Sequence, residues 1–146
     1  MSKRIISEVG LQLVRDTFNL QALAVQVGSQ LTRVEYGLVE IKMPSHPLLV
    51  QHHGYFHGGI VAYLADISGG LAGFSHFHNP HHSCLTIEFK INFLKAAHGS
   101  HILGRGKVIQ ETGSMFVSHT EVLNEHGECV AVALQTTKKL MNRERK

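Results

Sequence analysis

The stretch HGGIVAYLADISGGLAG, residues 57–73, places a single carboxylate, Asp66, among residues that are mostly apolar or very small. Within and just beyond it, Ile60, Leu64, Ile67, Leu71 and Phe74 recur at steps of four, three, four and three, which is the period of one helical face. The spacing predicts a helix from Gly58 to about Phe74. A second stripe, Gly59, Ala62, Asp66, Gly69 and Gly73, runs beside the first and is nearly free of side chains. Glycine inside a helix costs roughly 0.5–1 kcal/mol relative to alanine, so a glycine stripe predicts close approach of another backbone or of a ligand. A carboxylate on such a face loses part of its water, which suits a general base or a nucleophile.

Outward from this helix the chain reads as strands. Leu85, Ile87, Phe89, Ile91 and Phe93 alternate with Thr86, Glu88, Lys90 and Asn92, the pattern of a half-buried strand with Thr86 on the polar face. SHILGRGKVIQ, SMFVSHTEVLN and ECVAVALQTTKKL read as three more strands, the last two joined by the turn NEHGE. Upstream, IISEVGLQLVRDTF fits a short amphipathic helix within residues 1–20, bearing Ile6, Val9, Leu13 and Phe18. ALAVQVGSQLTRVEYG and LVEIKMP read as strands joined as a hairpin around Glu35-Tyr36-Gly37, and Pro44–Phe56 as a histidine-rich loop. One long helix set before a run of antiparallel strands predicts an α+β fold, a curved sheet wrapped around that helix.

Composition narrows the function classes. At 146 residues, the chain is expected to form a single domain, residues 1–146, with a basic, flexible tail at 141–146. Hydrophobic residues make up 43% and charged residues 17%, which excludes a disordered chain. No run is apolar enough for a membrane span or a secretory signal, so a cytoplasmic location is the expectation. The net charge of +3 is scattered and carries no nucleic-acid-reading motif, so no nucleic-acid partner is expected, whereas a small anionic ligand suits it. Cys84 and Cys129 lie in no metal or redox spacing and read as packing residues. The histidines of HFHNPHH, residues 76–82, lack the spacing of a zinc site and read as surface or hinge residues, so no metal is expected.

The start of the helix, His57-Gly58-Gly59, supplies amides without intrahelical partners at the positive end of the helix dipole. Such amides can hold a carbonyl oxygen as it gains negative charge, and glycine lets a ligand come close. Gly58 and Asp66, however, are eight residues apart, roughly 12 Å along a helix axis, too far to touch one acyl carbon. If both act on one substrate, the amide belongs to one subunit and the acid to another, the two helices lying antiparallel about a twofold axis.

GYFHGG at 54–59, an acid nine residues after the histidine, and TIEFKINFLKAAHG at 86–99 together resemble the hotdog-fold acyl-CoA thioesterases, in particular the phenylacetic-acid-degradation branch. The resemblance covers nearly the whole chain. It implies a hotdog fold, hydrolysis of an acyl or aryl-acyl thioester to free acid and CoA, and a homodimer that often pairs into a tetramer. No metal or organic cofactor is implied, coenzyme A being part of the substrate. By resemblance Asp66 is the catalytic carboxylate, Gly58 the polarising amide and His57 the histidine beside it. Gln51 takes the position that helps hold the water or the carbonyl, and Thr86 that of a serine or threonine at the start of the next strand. The pair His52-His53 departs from the pattern. Gly59, Phe56 and Tyr63 are candidates for the acyl pocket, as are Tyr55 and Phe74; Lys90, Lys95 and Arg105, with Lys107, are candidates for phosphate contacts. Two other readings of the same fold remain: a non-catalytic acyl-CoA-binding module and a thioesterase for acyl-carrier-protein substrates. The histidine–proline–glutamate pattern of acyl-carrier dehydratases is missing.

Overall fold

The structure is a computed structural model and describes residues 4–141; residues 142–146, most of the expected basic tail, lie outside the described residues. The element order is α1 (Glu8–Asn19), α2 (Ala22–Gln26), β1 (Gln30–Glu35), β2 (Leu38–Pro44), α3 (Gly58–Phe74), β3 (Ser83–Phe93), β4 (His101–Glu111), β5 (Met115–Asn124) and β6 (Cys129–Leu140). The strands form one six-stranded sheet in the order β1-β2-β4-β5-β6-β3, with every neighbouring pair antiparallel. Helix α3 lies across its inner face, and this is the wrapped helix expected from the sequence. Among the described residues no helix is long and apolar enough to cross a membrane.

The core forms where α3 meets the sheet. Leu64, Ala65 and Ala72 of the helix are fully buried with Ile41, Met43, Ile102, Phe116 and Val122 of the strands. Each large side chain so buried contributes roughly 1.5–3 kcal/mol. The helix sits close because the sheet beneath it lacks bulk at two positions. A Cβ at Gly106 would fall on the carbonyl of Ser68, and one at Gly104 would meet Leu64 Cγ at 2.8 Å.

The glycines of α3 face the same way. A Cβ on Gly69 would collide with Gln135 Oε1 and lie 2.8 Å from Thr120 Oγ1, and one on Gly73 would meet the Phe116 ring at 2.9 Å. Close approach is therefore required, and at Gly69 and Gly73 what approaches is the chain's own sheet. Among the stripe's glycines, Gly59 alone is open, with nothing within 4 Å of a built Cβ.

The hairpin at Tyr36-Gly37 forms as expected, with Glu35 paired to Leu38 and Gly37 at φ +71°. NEHGE also turns as expected, with Gly127 at φ +78°. Residues 22–26 differ from expectation: they form a short helix instead of a strand, closed by Ser29 N donating to the Ala24 carbonyl (2.8 Å). A short apolar run does not by itself distinguish strand from helix, and here Ala24 buries against the core as a helical turn. Helix α1 is capped by Ser7 Oγ, which accepts from Gly10 N (3.0 Å). Its buried face is Gly10, Val14 and Phe18, rotated from the expected stripe because Gly10 packs on the Ser75 carbonyl after α3.

Candidate active site

Asp66 stands in the third turn of α3 and turns toward the β6–β3 end of the sheet. Thr86 Oγ1 donates to its Oδ1 at 2.8 Å, and Gln135 Nε2 donates to the same oxygen at 3.1 Å. Gln135 Nε2 also reaches the Asp66 carbonyl and Thr86 Oγ1, both at 3.3 Å. Among the described residues no hydrogen bond reaches Oδ2. One carboxylate oxygen is thus held by two donors while the other is available.

Simple alternation along β3 puts Thr86 on the face away from the helix, and the structure overturns that reading. The register against β6 slips between Thr86 and Glu88, a bulge that absorbs Ile87. Before the bulge Cys84 and Thr86 point toward α3; after it, Phe89 and Ile91 do. An inserted residue switches every later side chain to the other face. The cost appears on the outside, where Leu85 and Ile87 are more than half exposed (54% and 55%).

Beside Asp66 opens a cleft of about 350 Å³. Its walls include Ile67, Leu71, Phe74 and Leu85, with Thr17 and Gln21 contributed from the α1–α2 junction. Cys84 also lines it; its Sγ donates to the Gly70 carbonyl (3.8 Å), and burial pushes the thiol up to about 12. A thiol so held is protonated at neutral pH and is no nucleophile.

At the other end of α3, His57 is the N-cap residue, and its carbonyl accepts from Ile60 N (2.9 Å) and Val61 N (3.0 Å). Its imidazole makes no cap bond. Gly58 and Gly59 are exposed, and among the described residues no acceptor meets their amides, as the first turn of a helix requires. The ring of Phe93 lies over Gly58, 3.5 Å from a built Cβ. Gln51 sits in the preceding loop, where its Oε1 accepts from His53 N (3.2 Å) and its own N donates to the Tyr55 carbonyl (2.7 Å). Because α3 is one uninterrupted helix from Gly58 to Phe74, these amides and Asp66 of the same chain stay roughly 12 Å apart along the axis.

Several expected contact residues are engaged elsewhere. Phe56 is a core residue, 4% exposed and bridged through its backbone to Val50, and does not line the cleft. Tyr63 packs partly buried against the core; burial raises its pKa, opposed by a hydrogen bond to the Ala24 backbone. Arg105 lies on the sheet face away from α3, with its Nε 2.6 Å from Glu40 Oε1, so it is neutralised there. Lys95 pairs with Glu128 (3.2 Å), and Lys90 Nζ donates to Asn92 Oδ1 (2.8 Å) on the exposed edge strand.

The histidine-rich segment after α3 is also split. His76 is neither a surface nor a hinge residue: its side chain is 6% exposed, its Nδ1 is 2.8 Å from Glu111 Oε2, and its ring stacks on Tyr36 at 4.0 Å. His78 and His81 are exposed as expected. Among the described residues no three His, Cys, Asp or Glu side chains are grouped to hold a metal ion.

The sequence profile of the thioesterase superfamily matches residues 53–131, which include the α3 amides, Asp66 and Thr86. The chain belongs to the thioesterase superfamily. Hydrolysis of thioesters is the general chemistry of that superfamily. A thioesterase family protein from Silicibacter pomeroyi superposes with a TM-score of 0.85 at 32% identity, covering 91% of this chain and 99% of that one. The Escherichia coli PaaI protein of the phenylacetic acid degradation operon superposes at 0.83 over 94% of this chain and 97% of its own, which at 18% identity shows the shared hotdog fold. A presumptive esterase of Saccharolobus solfataricus is 30% identical over 101 residues, 69% of this chain and 71% of that protein.

Gln135 is the member of the Asp66 cluster that the sequence concealed. It lies in VAVALQTTKKL, at the head of the polar run Gln135-Thr136-Thr137-Lys138-Lys139, where nothing sets it apart from its neighbours. The structure separates it from Leu134: the leucine is the exposed one of the two, at 43% against 1%.

Proposed function

We propose that this chain hydrolyses acyl-CoA thioesters in a site shared by two subunits. The observation that carries the reading is the Asp66 carboxylate, pinned through Oδ1 with Oδ2 free, lining a cleft whose walls mix apolar and polar side chains. The amide of Gly58 from one subunit polarises the thioester carbonyl. Oδ2 of the other subunit's Asp66 takes a proton from an attacking water or adds directly to the acyl carbon. Either route passes through a tetrahedral oxyanion held by the same amide and expels the CoA thiolate. The water route gives free acid at once, with the proton taken up by Asp66 passing to the thiolate, whereas direct addition leaves a mixed anhydride on Asp66 that a water then hydrolyses to free acid and the regenerated carboxylate. A carboxylate and helix amides supply this chemistry without a metal or organic cofactor, and the cytoplasm is its proposed setting.

Edge strand β3 supports the pairing. Its outer edge has no neighbour in the sheet, runs for 11 residues and leads into the exposed side chains Phe93 and Leu94. Long apolar edges of this kind invite another strand. A second copy added antiparallel here places the two α3 helices side by side, and two such dimers form the proposed tetramer. The cleft then receives the acyl group, and the net charge of +3 favours the polyanionic carrier.

Two inactive variants test the reading together. Asp66→Ala removes the acid. Gly58→Pro removes the amide N–H at the first helical position, where proline is accommodated and His57 already has the extended backbone that precedes it (φ −57°, ψ 140°). Thiol release from a panel of aliphatic and aromatic acyl-CoAs is expected to fall to a small residual rate in each homodimer. Co-refolded mixtures are expected to regain about a quarter of wild-type turnover, since half the dimers are mixed and each carries one intact site. Full turnover by Asp66→Ala would overturn the assignment, and a dead mixture would overturn the shared site.

A further inference from the structure

We infer that Gln135 is a positioning residue for the Asp66 carboxylate, acting from β6 to hold Oδ1 and so present Oδ2 to the acyl carbon. The inference rests on the role proposed for Asp66. Gln135 is 1% exposed and pairs on its two sides with Ser118 of β5 and Phe89 of β3, which places it inside the sheet. A long amide in that position is unusual, because such side chains are rarely buried unless their polar atoms are used.

Here only one end of the amide is used. Nε2 donates to Asp66 Oδ1 (3.1 Å), to the Asp66 carbonyl (3.3 Å) and to Thr86 Oγ1 (3.3 Å). Oε1 is buried and has no hydrogen-bond partner among the described residues. The amide orientation follows from chemistry, since reversing it would turn an oxygen toward both a carboxylate and a carbonyl. A leucine of similar size would fill the space and leave no orphan oxygen, so fold stability alone does not call for an amide. The helix has also made room for it, since any side chain on Gly69 would strike Oε1.

The bonds explain what the amide does. Nε2 bridges the Asp66 side chain and the Asp66 carbonyl, which ties the carboxylate to its own helix backbone. Together with Thr86 it puts two donors on Oδ1, so rotating the carboxylate would break both bonds. Thr86 comes from the edge strand and Gln135 from the strand inside it. The acid is thereby referenced to the sheet as well as to the helix. Catalytic groups gain from being held by such supporting contacts.

The test uses Gln135→Leu and Gln135→Met in the full chain, assayed by thiol release with an acyl-CoA turned over by the wild type. A positioning role predicts a fall in kcat of about ten- to a hundredfold with KM changed less than about twofold, at an unchanged or raised melting temperature. In an Asp66→Ala background, adding Gln135→Leu is expected to lower residual turnover no further, because nothing is left to position. Wild-type kcat in both single variants, with Asp66→Ala inactive, would overturn this inference alone. So would an equal fractional loss in the Asp66→Ala background, which marks a purely structural role. Wild-type turnover by Asp66→Ala would instead overturn the assignment beneath it. One measurement needs no change at position 135: the Gln135 side-chain amide resonances are expected to shift between wild type and Asp66→Ala, and unmoved resonances would refute the contact.

Discussion

Gly106→Ala adds one methyl group at the place where the sheet holds helix α3. Gly106 is buried on β4, opposite Val39 of β2 and Thr120 of β5. Its new Cβ would fall on the carbonyl carbon and oxygen of Ser68 and lie 2.5 Å from the amide nitrogen of Gly69. All three are helix backbone, so no rotamer change relieves the overlap. Ordinary non-bonded contacts lie near 3.5–4.0 Å, so α3 must withdraw by about 1 Å. Overpacking of this kind costs about 1–3 kcal/mol. The withdrawal also stretches the bond from Ser118 Oγ to the Gly69 carbonyl (3.1 Å), and losing such a bond costs about 1 kcal/mol more. The expected destabilisation is therefore about 2–4 kcal/mol, read from urea midpoints. Because Asp66 rides on the same helix turn, while Thr86 and Gln135 stay with the sheet, kcat of the folded variant is expected to fall by about a hundredfold. Gly104→Ala supplies the comparison, since part of its overlap is with the movable Leu64 side chain, and is expected to cost less. A Gly106→Ala protein within about 0.5 kcal/mol of wild type and of undiminished kcat would refute the claim that this contact sets the position of Asp66.

Two further substitutions separate the remaining roles. Gly59→Ala meets no atom within 4 Å and should raise stability by up to about 0.5–1 kcal/mol through helix propensity. In thiol-release assays the same change should lower kcat/KM, because it narrows the approach to the helix amides; unchanged kinetics would show that nothing passes there. Burial lowers the pKa of His76 despite its hydrogen bond to Glu111, so the folded state favours the neutral ring. Its contribution to stability is full above the ordinary histidine range near 6.5 and is lost as pH falls through the lower folded value. Glu111 lies just beyond it: burial raises that carboxyl, but bonds from Lys139 and His76 outweigh this and set it below 4.5, so its own loss comes at lower pH. Urea melts stepped down from pH 7 should show the His76 limb first, and His76→Gln should flatten that limb; an unaltered slope would exclude His76 as its source.

Much of this molecule is legible in one dimension because much of it is periodic. The apolar steps from Ile60 to Phe74 specify α3, and the hairpin needs only the glycine at 37 that turns with positive φ. Asp66 stands out as an acid on an apolar helix, and its distance from Gly58 along the helix follows from rise per residue alone. Resemblance points to Thr86, but alternation puts it on the wrong face. Alternation assumes an unbroken register, and the bulge at Ile87 is a property of the β3–β6 pair. A single strand carries no mark of it, since Leu85 and Ile87 are as apolar as Phe89 and Ile91.

The glycines teach the same distinction. Their spacing along α3 predicts that something approaches closely, and something does. What approaches is Gln135, Thr120 and Phe116 of the chain's own sheet, while Gly104 and Gly106 make the reciprocal space on β4. Likewise Phe56 and Arg105 have the chemistry of pocket and phosphate contacts, yet one is drawn into the core and the other is held by Glu40. By itself the sequence determined the helix, the strands, the acid and the amides, because each is written in local period and residue type. Only the tertiary structure decided which oxygen of Asp66 is held and which is free, because that choice depends on Thr86 and Gln135, donors brought from two strands 20 and 69 residues away.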